Sequence, residues 1–219
     1  GAVNVTGSGD VLIFGELSAN GTNGTGGNIG VTGEDVFVAP TATISANGAI
    51  GGTVLLDASG SMQVAGNVSA SGSSGQGGLI GVTGADITVA PTAVVNASGA
   101  TQGGSVNIGG GFQGADDRFR NSDSTTISAG ASINANGGTG AGGNVAIWSD
   151  GATNMAGSID AIGGHGGGFA EVSGLADLAV SGMIDLSGGT GAAGNLLFDP
   201  TNVTIGAGGI EAATLFTAL

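Results

Sequence analysis

The sequence predicts an all-β fold, a parallel β-helix (solenoid) of about eight coils, and three observations support this prediction. A stretch of 35 residues occurs twice, short runs of Val and Ile alternate with small or polar residues, and clusters of glycine separate those runs. Long internal repetition indicates a repeating architecture, and alternation with a period of two indicates strands. Equivalent strands of successive repeats would stack on one another and bury their apolar faces.

The repeat defines the length of one coil. Residues 15–49 and 66–100 are identical at 21 of 35 positions, at an offset of 51 residues. The offset divides again, because segments 27–33 and 52–60 have the same shape and begin 25 residues apart. Each unit of about 25 residues then carries roughly three short strands, with Gly, Asn, Ser and Pro in the turns between them. One such unit corresponds to one coil.

The coils can be followed along the whole chain. Residues 1–14 hold the end of one coil and the start of another, and their apolar residues alternate. Later coils are expected to open near Glu34, Ser61, Ala85, Ser124, Ala152, Leu175 and Thr201. The spacing is 23 to 28 residues except for one interval of 39. The extra length belongs to residues 109–124, which we interpret as a loop insertion in a single β-helix domain covering residues 1–208.

The last residues change in character. The alternation stops at residues 209–219, where Ala, Leu and Glu favour a helix. Leu215 and Leu219 are four residues apart and share one helical face. We therefore expect a short helix that either caps the last coil or begins a following module.

Composition excludes several classes of function. The net charge is −14, from 16 acidic residues against Arg118 and Arg120, with no Lys. This balance argues against nucleic acid and against anionic lipid as partners, because both need a basic surface. The chain has no Cys, which excludes disulfides and cysteine metal sites. No apolar run reaches the length of a membrane span, so we expect a chain that is not embedded in a membrane.

The carboxyl-terminal third carries a family resemblance. Residues 143–150 read GNVAIWSD, residues 157–174 read GSIDAIGGHGGGFAEVSG, and residues 194–205 read GNLLFDPTNVTI, preceded by a GGFQG segment at 110–114. This combination resembles the β-helical region of filamentous-haemagglutinin-like exoproteins, adhesins exported by two-partner secretion. The resemblance implies a right-handed parallel β-helix, a secreted or cell-surface location, and a role in adhesion or biofilm matrix. It also implies an outer-membrane transporter as a partner, which we expect to be contacted through a region outside this chain.

The insertion is the best local candidate for a contact site, because loops on rigid scaffolds often carry function. The alternative is a solvated excursion without a ligand. Trp148 alternates with Ala146 on the face opposite Val145 and Ile147, so it points outward, either as an exposed platform for a sugar or beneath the loop. The candidate contact residues are Phe112, Gln113, Asp116, Asp117, Arg118, Arg120 and Trp148. The expected ligand is a host-cell or matrix glycan or protein.

Signals for chemistry are weak, and we assign no catalytic residue, metal or cofactor. Asp35 and Asp86 match at the 51-residue offset, which fits a repeated turn position better than a catalytic pair. Residues 7–12 echo a calcium-binding glycine-rich repeat, but the other glycine-rich turns lack its aspartate. His165 is the only His in the chain, so every Ser-His-Asp arrangement would have to use it, and we propose none.

Three functions remain in competition. The first is the structural shaft of a large secreted adhesin without catalysis. The second is an extracellular filament subunit whose coils stack end to end with other copies, because the ends of a solenoid expose unpaired strand edges. The third and weakest is a polysaccharide-active β-helix enzyme, which is disfavoured because two Arg in a chain of net charge −14 make a poor site for a polyanionic substrate.

Overall fold

The structure, a computed structural model, describes residues 1–201 and Ile210. Each coil contributes up to three strands in the same order, and the coils are numbered here by their strands. Coil 1 holds β1 (Ala2–Thr6), β2 (Val11–Ile13) and β3 (Glu16–Ser18); coil 2 holds β4 (Asn28–Gly33), β5 (Val36–Val38) and β6 (Thr43–Ser45); coil 3 holds β7 (Thr53–Ala58), β8 (Ser61–Val64) and β9 (Asn67–Ser69); coil 4 holds β10 (Leu79–Thr83), β11 (Asp86–Val89) and β12 (Val94–Asn96).

The same order continues through the second half of the described chain. Coil 5 holds β13 (Ser105–Ile108), a 3₁₀ turn (Phe112–Gly114), β14 (Ser124–Ile127) and β15 (Ser132–Asn134); coil 6 holds β16 (Asn144–Ile147), β17 (Ala152–Met155) and β18 (Ser158–Asp160); coil 7 holds β19 (Phe169–Val172), β20 (Asp177–Val180) and β21 (Met183–Asp185); coil 8 holds β22 (Asn195–Leu197). The short helix expected at residues 209–219 lies, except for Ile210, outside the described residues.

The strands form three parallel sheets that run along the stack. The first sheet has the order β1-β4-β7-β10-β13-β16-β19-β22, the second β2-β5-β8-β11-β14-β17-β20, and the third β3-β6-β9-β12-β15-β18-β21. The predicted fold class, an all-β parallel solenoid of about eight coils, is therefore confirmed. The second-sheet strands also begin within two residues of the expected openings from Glu34 to Leu175.

The core is a set of apolar columns that follow the register between coils. In the first sheet Val31 pairs with Leu56, and Leu56 with Val82. All three side chains are at most 1% exposed. In the third sheet the column runs through Ile44 and Val68. Burial of each such side chain stabilises the fold by about 1.5–3 kcal/mol, so every coil adds a layer of similar worth.

Glycine fills the corner where the chain passes from the third sheet back to the first. A column of glycines pairs from coil to coil at this corner, namely Gly48, Gly72, Gly99, Gly137, Gly163 and Gly188. A second row packs against neighbouring carbonyl groups, and a Cβ on Gly77 would lie 1.8 Å from the carbonyl oxygen of Ala97. Only a residue without a side chain permits backbones to approach this closely. The corner therefore accounts for much of the unusual glycine content, 50 of 219 residues.

Asparagine and serine side chains join the coils beside the glycine corner. The side-chain oxygen of Asn47 accepts the Ser71 backbone N–H at 2.7 Å and the Ser69 hydroxyl at 2.7 Å. Three coils further along the axis, the side-chain oxygen of Asn136 accepts the Ile162 backbone N–H at 2.8 Å. These bonds satisfy turn amides that a strand ladder cannot reach, which explains why Ser-Ala-Asn-Gly and its variants recur in each unit.

Alanine at the glycine corner should destabilise the stack. We expect Gly77→Ala to lower the free energy of unfolding by about 2 kcal/mol or more, because its Cβ meets backbone of a neighbouring coil that cannot move independently. Gly15→Ala is the matched control, since a Cβ there meets nothing within 4 Å. Urea denaturation of both variants against the original chain measures the difference. Equal midpoints for the two variants would contradict a close-packed corner.

Candidate functional site

The insertion leaves the stack after β13 and then folds back across the outer face of the first sheet. Gly109 and Gly114 adopt positive φ angles of 74° and 61°, which turn the chain sharply at each end of the first half of the loop. Gln113 between them has φ 53°, an uncommon conformation for a residue with a side chain. Such a conformation persists where surrounding contacts over-determine it, and the loop supplies those contacts.

Trp148 lies beneath the loop and not on an open surface. It follows β16 and is 6% exposed. A Cβ on Gly114 would lie 2.6 Å from the indole ring, so the absence of a side chain at this position makes room for the tryptophan. The indole N–H donates to Asp150 Oδ1 at 2.9 Å, and the Asn121 side-chain amide donates to the same oxygen at 3.0 Å. Of the two sequence-based alternatives for Trp148, the structure places it under the loop.

A phenylalanine and an arginine anchor the loop on the earlier coils. The ring of Phe119 sits over Gly81 in β10, where an added Cβ would lie 2.5 Å from the ring, and Phe119 is 3% exposed. Arg120 donates to the carbonyl oxygens of Ala58 and Ser59 at the end of β7. The loop, which departs from coil 5, is therefore anchored two coils earlier, in coil 3.

The first half of the loop contacts the later coils, 7 and 8. The backbone N–H of Gln113 donates to Glu171 Oε2 in β19 at 2.9 Å, and its side-chain amide lies 3.4 Å from Asp199 Oδ2 beyond β22. The rings of Phe112 and Phe169 meet edge to face, with centroids 5.6 Å apart. The insertion therefore braces the first sheet from coil 3 to coil 8.

Glu171 is the buried acid of this brace, with no exposed surface. Besides Gln113, the hydroxyl of Ser173 donates to it, at 3.1 Å. Burial raises the pKa of Glu171 above its ordinary value of 4.5, and the nearby charge of Asp199 adds to the increase, whereas the two hydrogen bonds oppose it. Because the carboxyl group is enclosed, it can hold the loop but cannot reach a substrate.

A network of buried hydroxyl groups underlies the loop where the first sheet turns into the second. The hydroxyls of Ser122 and Thr125 both lie within 3.0 Å of the Trp148 carbonyl oxygen. One coil later Thr153 donates to the Ser173 carbonyl oxygen at 2.8 Å. Thr125 and Thr153 occupy a column that is apolar in earlier coils, where Val36 pairs with Met62 and Met62 with Ile87. In the described part of the chain no buried side-chain polar atom lacks a partner.

The exposed charges of the loop pair mainly within it. Arg118 donates to both carboxylate oxygens of Asp116, at 3.0 and 2.7 Å. Hydrogen bonding to Arg118 lowers the pKa of Asp116, so this carboxylate is unsuited to act as a general acid near neutral pH. Arg120 lies 3.7 Å from Asp57 Oδ1. Asp117 is exposed on the outer surface of the loop.

Two grooves flank the loop on the first sheet. The corner groove, of about 750 Å³, runs from the glycine corner to the ring of Phe112 and is lined by amide side chains such as Gln76, Gln102 and Asn144. The upstream groove, of about 820 Å³, lies toward coil 2 and is lined by Gly30, Thr32, Leu55, Asp57, Phe119 and Arg120. Both are open surfaces that a ligand can reach without displacing the loop. The structure thus gathers all seven candidate contact residues around one loop, and their use in binding stays a prediction.

The remaining acidic candidates have structural partners. Asp35 and Asp86 lie in one column of the second sheet, separated by Ser61. Asp35 Oδ1 accepts the Ser61 backbone N–H at 2.6 Å, and Asp86 Oδ1 accepts the Ser124 hydroxyl at 2.5 Å. Their recurrence at 51 residues therefore gives an Asp-Ser ladder along the stack. Within residues 1–201 and Ile210, no group of three or more His, Cys, Asp or Glu residues is placed to hold a metal ion.

Comparison with known proteins shows the fold. The sequence matches no protein-family profile and no curated protein. Among solved structures, the chain is similar to the HMW1 secretion domain from Haemophilus influenzae, with a TM-score of 0.60 and 20% sequence identity. The similarity covers 89% of this chain and 64% of that chain, so this chain spans less than two thirds of its length. The β-helical fold implied by the resemblance to filamentous-haemagglutinin-like exoproteins is thereby confirmed.

The described residues also bear on membrane insertion. Among them no helix combines the length and the apolar character that a crossing of the bilayer requires.

Replacement of Glu171 by glutamine should change the pH dependence of stability. A raised pKa in the folded state means that the stability contributed by Glu171 is complete below the unfolded pKa and is lost as pH rises through the folded pKa. Glutamine keeps a side-chain oxygen for the Gln113 N–H but never ionises. We expect the stability difference between Glu171→Gln and the original chain to move in favour of the variant from pH 5 to pH 8.

Chemical denaturation at the two pH values measures this difference, and the other acidic residues cancel because both proteins contain them. A shift in favour of the original chain would mean that the ionised form of Glu171 is the stabilised one, with its pKa lowered.

Trypsin can report the docking of the loop, because Arg118 and Arg120 are the only Lys or Arg residues in the chain. We expect Phe119→Ala to accelerate tryptic cleavage about a hundredfold or more, since loss of a buried Phe costs about 3 kcal/mol or more. Phe112→Ala is the matched control, because Phe112 is an aromatic residue of the same loop that is 49% exposed. The experiment measures the rate of appearance of the two fragments on a gel. A rate for Phe119→Ala no higher than that of the original chain would show that Phe119 does not hold the loop.

Proposed function

We propose that this chain is part of the β-helical shaft of a large secreted bacterial surface adhesin, with a structural role and no catalytic one. The observation that carries the proposal is the similarity of 89% of the chain to the HMW1 secretion domain, at a TM-score of 0.60. The motif block at residues 143–205 supports the same assignment through its resemblance to filamentous-haemagglutinin-like exoproteins.

The physical properties of the stack suit a shaft. Apolar columns, glycine corners and side-chain ladders repeat along the axis, so the rod has a continuous apolar core. The insertion adds a brace across six coils, from Ala58 in coil 3 to Asp199 beyond β22. A brace of this kind resists local opening in an architecture where each coil otherwise contacts only its neighbours.

Secretion and surface location follow from the same proposal. The similar structure is described as a secretion domain, which supports export as the route of this chain. The outer-membrane transporter that two-partner secretion requires is the proposed partner in export, and contact with it through a region outside this chain stays a prediction.

Adhesion through the loop is the finer part of the proposal. The corner groove presents amide side chains beside the exposed ring of Phe112, groups that suit hydrogen bonding and stacking with a glycan or a protein.

The state of the carboxyl groups supports a non-catalytic role. Glu171 has a raised pKa but is enclosed, whereas Asp116 is accessible but tied to Arg118.

The size of the native polypeptide tests the shaft directly. We expect antibodies raised against this chain to detect a polypeptide well above about 100 kDa in the secreted or surface fraction of the source bacterium, because a shaft of a few dozen coils needs several such segments. Deletion of the outer-membrane transporter should remove that signal from the surface fraction, whereas an unrelated outer-membrane protein serves as the control. A stable native species near 20 kDa would contradict the shaft and favour the filament subunit that stacks end to end.

A further inference from the structure

The internal repeat places two equivalent glycines on the outer face of the first sheet. Gly30 and Gly81 are separated by the 51-residue offset of the repeat. In the sheet register Gly30 pairs with Leu55, and Leu55 with Gly81, so the three form one outward column over coils 2, 3 and 4. Each glycine leaves a notch in a row of side chains, one on either side of Leu55.

The molecule itself shows what such a notch accepts. The Gly81 notch holds the ring of Phe119, and the Cδ2 atom of Leu55 leans toward it, 2.9 Å from the position of an added Cβ. The next residue, Arg120, then reaches back by one coil to the carbonyl oxygens at the end of β7 and to Asp57. Within the chain itself, this surface therefore binds an aromatic ring followed by a basic side chain.

The Gly30 notch is open among the described residues. A Cβ on Gly30 would meet one atom within 4 Å, the side-chain oxygen of Asn4 at 3.0 Å. Leu55 leans toward Gly81 and remains 42% exposed, so its other face borders the notch. The upstream groove, of about 820 Å³, connects Gly30 with the docked loop. A second aromatic side chain can therefore rest on the backbone at Gly30 and pack against Leu55.

The charge around the groove selects a basic occupant. Asp57, Asp116, Asp117 and Asp150 line the upstream groove, against Arg118 and Arg120. The only two basic side chains of the whole chain, Arg118 and Arg120, are engaged with Asp116 and with β7. With a net charge of −14, the protein attracts cationic partners over several ångströms, and the groove concentrates that attraction.

We propose that the Gly30 notch and the upstream groove bind an extended segment of a separate protein partner, in which an aromatic residue is followed by a basic one. The aromatic ring occupies the notch against Leu55, as Phe119 occupies the Gly81 notch. The basic side chain lies among the carboxylates of the groove. This surface is distinct from the corner groove that we propose for adhesion.

The probe is a peptide with the sequence of residues 117–122, Asp-Arg-Phe-Arg-Asn-Ser, acetylated and amidated. Binding to the full 219-residue chain is measured by calorimetry and by NMR titration at low salt. We expect a Kd on the order of 0.1–1 mM, which is reasonable for one ring and two arginines on an open surface. Replacement of Phe by Ala in the peptide should weaken binding about tenfold or more, and 0.5 M salt should weaken it as well.

Gly30→Val is the decisive protein variant. Its side chain fills the notch, and the one atom close to its Cβ is the end of the exposed Asn4 side chain at 3.0 Å, which can move aside. A β-branched residue also suits a strand, so the variant should fold and melt as the original chain does. We expect it to raise the Kd of the peptide about tenfold or more, whereas the control Gly15→Ala leaves it unchanged. Unaltered binding to Gly30→Val would show that the peptide does not occupy the Gly30 notch and would overturn the proposal.

Two further outcomes also decide the question. Absence of binding to the original chain at millimolar peptide would overturn the proposal, because the surface would then lack affinity for the chemistry that occupies its twin. Concentration-dependent self-association of the original chain that disappears in Gly30→Val would assign the notch to a second copy of the chain and not to a separate partner. Analytical ultracentrifugation of the two proteins without peptide makes that distinction.

Discussion

The distance between successive coils, about 4.8 Å, is the constraint on which this structure depends. Backbone hydrogen bonds fix this distance in all three sheets, and each position of a coil must then tolerate a copy of itself directly above and below. Branched aliphatic side chains satisfy this requirement in the core, asparagine and serine satisfy it in the ladders, and glycine satisfies it where carbonyl groups pack against the next turn. The low diversity of the sequence follows from one spacing imposed on every coil.

The insertion is the one large departure from that regularity, and the regular part provides its binding surface. Gly81 offers a notch for Phe119, and Gly114 leaves space for Trp148. Polar atoms that enter the interior with the loop are satisfied by hydroxyls in place of aliphatic side chains, as at Thr125. A solenoid of nearest-neighbour contacts thus acquires a long-range contact, between residues 113 and 171, without interruption of any sheet.

Periodicity explains how much the sequence alone could predict. Strands and coil openings repeat, so their positions followed from alternation and from the 51-residue offset, and the outward direction of Trp148 followed from the parity of β16. The path of the loop could not be predicted in this way, because its contacts with Gly81, Glu171 and Ala58 depend on shape and on hydrogen bonds between residues distant in sequence. Thr125 and Thr153 are the signal in the sequence that points to the loop: two buried hydroxyl residues in an otherwise apolar column mark the place where polar groups enter the core.

The reach of the loop from coil 3 to coil 8 gives folding a sequence of events. During synthesis coils 1 to 4 can stack as they appear, and Phe119 can dock as soon as residue 119 is free. The other half of the loop must wait for Glu171 and Asp199, some 50 to 80 residues later. During that interval Trp148 and its hydroxyl partners have no complete cover. The docking of the loop is therefore complete only after coils 5 to 8 have all been assembled.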